Sequence, residues 1–147
     1  MEQKDYPLLG QIVGQMTTEM FRVLKKRTGE QPNTKLTVEQ FALLYAINNQ
    51  KDDAIQQDMA NFMGKDKSTI LRLTDILEEK ELLRRVVDTK DRRKNYLMVT
   101  KKGEVVISEY LKVEFQLIEE LLKGLSKSEI EVFCKVVNHI KNSAQEL

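Results

Sequence analysis

The residues best equipped for chemistry in this chain are cations, and their spacing points to recognition of a polyanion rather than to bond making. Between Arg84 and Lys102 the stretch RRVVDTKDRRKNYLMVTKK carries eight Lys or Arg against Asp88 and Asp91, while the whole 147-residue chain has a formal charge of +1. Positive charge is thus gathered on one short segment and the remainder is acidic, as a face prepared for phosphates requires. A second group lies upstream. Lys65, Ser68, Thr69 and Arg72 recur at i, i+3, i+4 and i+7, with Lys67 among them, so on a helix they share one side near its start. Hydroxyls and long cations are the types that donate to phosphates and to base edges in a major groove.

Other chemistries find little support. His139 is the one histidine and Cys134 the one cysteine, so a single chain builds no His-based zinc site, no Ser-His relay and no internal disulfide. A chain without disulfides suits a reducing compartment. Gly64 and Gly103 are isolated, and Trp is absent; neither a Gly-rich phosphate loop nor a stacking platform for single strands is indicated. No apolar run approaches the roughly 20 residues of a membrane span, and the start MEQKDYPLLG lacks signal-peptide order. The sequence predicts a cytoplasmic protein that is not an enzyme, holds no metal or cofactor and enters no membrane. Cys134 reads as a packing residue.

The elements that must position these residues are mostly helices. Leu9, Ile12, Val13, Met16, Met20, Val23 and Leu24 line one side of a helix over 8–27, followed by a loop. Thr37 and Gln40 form a capping box, with Leu36 and Phe41 as its hydrophobic staple, and open a second helix over 38–48 that is apolar on more than one face. Asp52 and Asp53 suit the cap of a short third helix carrying Ile55, Met59, Ala60 and Phe62, with Gly64 as its left-handed end. A fourth helix over 66–80 turns Ile70, Leu73 and Leu77 inward. Two helices so closely joined through Gly form a helix-turn-helix, and recognition helices read bases mainly with N-terminal residues.

Val86-Val87 and Tyr96 to Val99 then read as two strands joined by a basic loop. A long helix over 102–123 has one stripe of Val106, Tyr110, Val113, Leu117 and Leu121 and another of Ile107, Leu111, Ile118 and Leu122. Ser126 and Glu129 form a second capping box, opening a last helix with Ile130, Phe133, Val137 and Ile140 on one side. Surplus apolar stripes on terminal helices suit a two-fold dimer. The fold class expected is mainly α with a small β wing, a winged helix-turn-helix with N- and C-terminal dimerisation helices. One unit over 1–147 would hold a DNA-binding lobe at about 36–102 and dimerisation helices at about 6–28 and 103–145.

Over nearly its full length the chain resembles the multiple-antibiotic-resistance (MarR) family of winged-helix transcriptional regulators. The resemblance is carried by KDKSTILRLTDILEEKELLRR and by DTKDRRKNYLMVTKKG, with its Asp-x-x-Asp-Arg-Arg wing and Thr-Lys-Lys-Gly exit. It implies a homodimer that binds a pseudo-palindromic operator in double-stranded DNA, acts as a repressor, and is released by a small effector, often an aromatic or phenolic acid. By the family pattern Arg93 enters the minor groove, Asp91 holds it by an ion pair, and Arg92 and Lys94 lie nearer the phosphates. Ser68, Thr69 and Arg72 match positions that touch bases and backbone, with Lys65 and Lys67 in support. The sequence assigns no effector residues. Glu81 stands where such proteins usually have Gly, so the left-handed cap there is expected to be missing. The cysteine near the N-terminus that marks the thiol-sensing branch is also absent. Bland readings stand beside these: Ser68 and Thr69 suit helix capping, Arg72 can pair with Asp75 or Glu79, and the fold also serves as a protein-protein interaction module that reads no DNA sequence.

Overall fold

The computed structural model describes residues 8–31, 34–50, 54–91 and 95–147. They form two compact units, one reaching to Val113 and one from Glu114 onward. The first begins with α1 (Leu9–Gly29), whose last turn buries Leu24 and Thr28. The Thr28 hydroxyl donates to the Leu24 carbonyl at 2.9 Å, and the buried Thr34 hydroxyl donates to the Thr28 carbonyl at 2.8 Å. The second bond satisfies a carbonyl that the helix end leaves without an intrahelical partner, while the first is a back-bond to the preceding turn.

Thr37 then caps α2 (Val38–Asn48) with the full capping box: the Gln40 amide donates to the Thr37 hydroxyl and the Thr37 amide to the Gln40 side chain, both at 3.1 Å. Phe41, Leu43, Leu44 and Ile47 are all buried, which is why the helix reads as apolar on more than one face. The Phe41 ring stacks on Tyr110 with centroids 3.8 Å apart, tying α2 to the long helix that follows the wing.

Next come β1 (Ala54–Ile55) and α3 (Gln56–Met63). Here the structure corrects the sequence reading, which placed Ile55 on the third helix. Ile55 instead lies opposite Tyr96 in an antiparallel pair, and Ala54 lies opposite Leu97. The Asp52-Asp53 cap expected before α3 falls outside the described residues. After α4 (Lys67–Glu79), β2 (Leu83–Val87) and β3 (Asn95–Val99) pair antiparallel from Leu83↔Val99 to Val87↔Asn95. The wing sheet therefore has three strands in the order β1-β3-β2.

Its exit leads into α5 (Lys101–Leu121) through Thr100. The Thr100 hydroxyl donates to the Glu81 carbonyl at 2.7 Å and accepts the Gly103 amide at 3.0 Å. A Cβ on Gly103 would collide with the Leu82 carbonyl and the Val99 side chain, so only glycine lets the helix start this close to β2. Val106, Tyr110, Val113 and Leu117 are buried as expected; Ile107, assigned to the second stripe, is buried with them.

In the second unit Ser126 caps α6 (Lys127–Gln145), accepting the Glu129 amide at 3.1 Å. The box is only half formed, because the Ser126 hydroxyl itself donates to the Glu129 carboxylate. Among the described residues none on this helix is buried, and Val132, Phe133, Val136, Val137 and Ile140 are exposed. Cys134 is exposed too, so it does not pack within its own chain as the sequence reading held. In α1, Leu9, Ile12, Val13 and Met16 are likewise exposed. Among the described residues no helix is long and apolar enough to cross a membrane.

Candidate nucleic-acid interface

The end of α3 and the start of α4 set the geometry of the exposed polar face of α4. Gly64 has φ 62°, the Lys65 amide donates to the Ala60 carbonyl at 3.0 Å, and the Gly64 amide donates to Asn61 at 3.3 Å. This is the paired-bond ending that left-handed glycine allows. Asp66 caps α4: one carboxylate oxygen accepts the Thr69 amide at 2.7 Å and the Ser68 hydroxyl at 2.8 Å. The Thr69 amide, the hydroxyls of Ser68 and Thr69, and the charge of Lys65 hold the Asp66 carboxyl down to about 2.

Capping is thus the work of Asp66, which sequence reasoning passed over, and not of Ser68 or Thr69. The Ser68 proton is engaged by Asp66, which leaves its oxygen lone pairs for other partners. Lys65 precedes the helix in the turn, with its ammonium 3.6 Å from Glu39; it does not share the helix surface with Ser68. Thr69 is half-buried at the edge, while Lys67, Ser68, Leu71, Arg72 and Asp75 are exposed. Ile70, Leu73 and Leu77 face inward and are almost completely buried.

A side chain counted in the sequence only as one of eight cations joins the wing to this helix. The Arg85 guanidinium donates to Asp75 at 2.6 Å and to Glu78 at 2.9 Å, and the Glu78 carboxylate also accepts the Arg85 amide at 3.1 Å. The Arg85 side chain retains only 20% exposure, so β2 is fastened to the outer side of α4. Asp75 is thereby engaged, and neither Lys67 nor Arg72 has an ion-pair partner among the described residues.

Lys102 is also used internally. It donates to the Lys80 carbonyl at 3.1 Å, close to the carbonyl end of α4 where a cation is favoured. Asp88 closes the base of the wing by accepting the Tyr96 hydroxyl at 2.8 Å and the Lys90 amide at 2.9 Å. Asp91 is half-buried. Arg92, Arg93 and Lys94 lie outside the described residues, and with them the expected pair between Asp91 and Arg93.

The missing cap expected at Glu81 is corrected by the backbone. Glu81 itself has φ 61°, its amide donates to Glu78 at 2.9 Å, and the Leu82 amide donates to Leu77 at 3.0 Å. The left-handed ending is kept without glycine because Leu82 and Leu77 are both buried at this corner, as the motif's hydrophobic contact requires.

Elsewhere in the same unit an open cavity of about 560 Å³ lies between α1, the start of α2 and the end of α4. Its lining includes Phe21 and Leu36 beside Arg22, Lys25, Lys35 and Lys80 and, among the described residues, no carboxylate. Lys80 donates to the Lys35 carbonyl at 3.2 Å.

Residues 36–94 match the sequence model of the MarR family. A crystal structure of MarR shares 27% identity and a TM-score of 0.80, over 96% of this chain and 100% of the other. The transcriptional regulator BldR from Sulfolobus solfataricus shares 27% identity and a TM-score of 0.79, over 97% and 99%. BpsR from Bordetella bronchiseptica, whose DNA binding is regulated by 6-hydroxynicotinic acid, shares the fold at 21% identity and a TM-score of 0.78, over 92% and 99%. Residues 36–94, which hold the helix-turn-helix, the capped α4 and β2, thus match the MarR model in sequence, and the chain shares its fold with regulators of that kind.

Proposed function

We propose that the chain acts as a cytoplasmic, homodimeric transcriptional repressor that reads a pseudo-palindromic operator. The observation that carries this reading is the face of α4, where Lys67, Ser68 and Arg72 are exposed and the two cations are unpaired among the described residues beside a wing fastened by Arg85. Lys65 and Thr69 flank that face, and Asp91, Arg92, Arg93 and Lys94 supply the wing contacts. In the dimer the exposed apolar residues of α1 and α6 are covered by a second copy, which sets two recognition helices one DNA turn apart, about 34 to 36 Å. An aromatic or phenolic acid is the effector class best suited to the cation-lined cavity, whose apolar walls take a ring and whose lysines take a carboxylate. Regulation of BpsR by 6-hydroxynicotinic acid supports the class. Such a ligand releases DNA only by its differential affinity for the spacing that no longer fits.

A gel-shift series with genomic fragments tests the proposal. A competitor-resistant band, dissolved by one member of an aromatic-acid panel, is expected; Lys25→Ala combined with Lys35→Ala keeps the band and loses the acid response. Absence of any such band at low salt favours the interaction-module reading.

A further inference from the structure

Leu71 has no place in the core. It is 47% exposed on α4, whereas Ile70 and Leu73 beside it are each 1% exposed. One turn before it stand Lys67 and Ser68, next to it Arg72, and one turn after it Asp75, all exposed. A branched apolar side chain therefore projects from the middle of a polar and cationic face, level with the residues best suited to hydrogen bonds with DNA. Isolated exposed leucines are common on proteins and mean nothing by themselves. This one differs because its surroundings favour a polyanion: Lys67 and Arg72 are unpaired among the described residues, and the neighbouring Asp75 is neutralised by Arg85. In the major groove the one apolar group that a base pair presents is the thymine 5-methyl.

We infer that Leu71 is a specificity-determining residue that packs on a thymine methyl in each operator half-site. The inference rests on the proposed DNA reading and adds to it. Lys67 and Arg72 donate to phosphates and base edges and the Ser68 oxygen can accept from a base-edge amino group, while Leu71 favours thymine over cytosine or uracil at one position. Burying one methyl is worth about fourfold in affinity, so removing it from both half-sites weakens binding about fifteenfold.

The test uses the full chain and the duplex selected from a random DNA pool, with each thymidine replaced in turn by deoxyuridine, which removes only the methyl. For the wild type, one symmetric pair of replacements lowers affinity about fifteenfold. Leu71→Ala binds the thymine and uracil duplexes equally, with an unchanged melting temperature because the side chain is exposed. Operator binding in which no thymine shows a different methyl dependence in Leu71→Ala than in the wild type overturns the assignment of Leu71 alone. Failure of the wild type to select or retain any duplex overturns the DNA reading and this inference with it.

Discussion

The guanidinium of Arg85 on β2 meets the carboxylate of Asp75 on α4 at 2.6 Å, and this one contact ties the wing to the helix and engages the acid that lies one turn beyond Arg72. Arg85→Ala should lower stability by about 1 kcal/mol, since the group is mostly buried and holds two carboxylates. A double-mutant cycle between Arg85→Ala and Asp75→Ala in urea should return a coupling of about 0.5 to 1 kcal/mol. Additive losses would show that the pair contributes nothing.

The wing loop should act through charge. Neutralising Lys94 with Gln is expected to reduce the slope of log affinity against log salt by about one contact. A titration series at several salt concentrations reports this directly, and an unchanged slope means that Lys94 does not touch phosphate.

The two backbone corners flanking the wing make opposite predictions. Glu81 has a left-handed φ that costs an L-residue about 1 kcal/mol, so Glu81→Gly should raise stability by about 1 kcal/mol. Gly103→Ala forces a methyl against the Leu82 carbonyl and should lower stability by about 1 to 3 kcal/mol. Chemical denaturation of both variants checks the pair.

The cap of α4 should give an acid limb. The Asp66 carboxyl lies at about 2 in the folded chain against an ordinary 3.8, so folding favours its anion. That stabilisation is fully present above the unfolded value and is lost as pH falls from 3.8 through about 2. The stability gap between wild type and Asp66→Ala should therefore be constant near neutrality and close as pH approaches 2. A gap of the same size at both ends would show that the anion is not the capping species.

What could be read from the sequence was mostly what is decided locally. Thr37 and Gln40, Gly64, and the Ile70, Leu73 and Leu77 stripe act within a few residues of themselves, and the structure places them as expected. Ala54 and Ile55 could not be read as a strand, because a two-residue strand has no alternation and exists only by pairing with Leu97 and Tyr96. Glu81 was misjudged for a similar reason: its φ is imposed by the burial of Leu82, against the residue's own preference. The candidate site shows the same division. The exposed cations of α4 were legible as types, whereas which acid each cation meets is settled in space, so Arg85 was counted as a DNA-facing charge and Asp66 was overlooked.

The central claim is that the α4 face reads DNA, and Arg72 tests it most directly, being exposed, unpaired among the described residues and outside the core. Fluorescence anisotropy titration of the selected operator with Arg72→Ala at fixed salt should show binding weaker by about 1 to 3 kcal/mol, with dimerisation and melting temperature unchanged. A dissociation constant equal to that of the wild type would contradict the account.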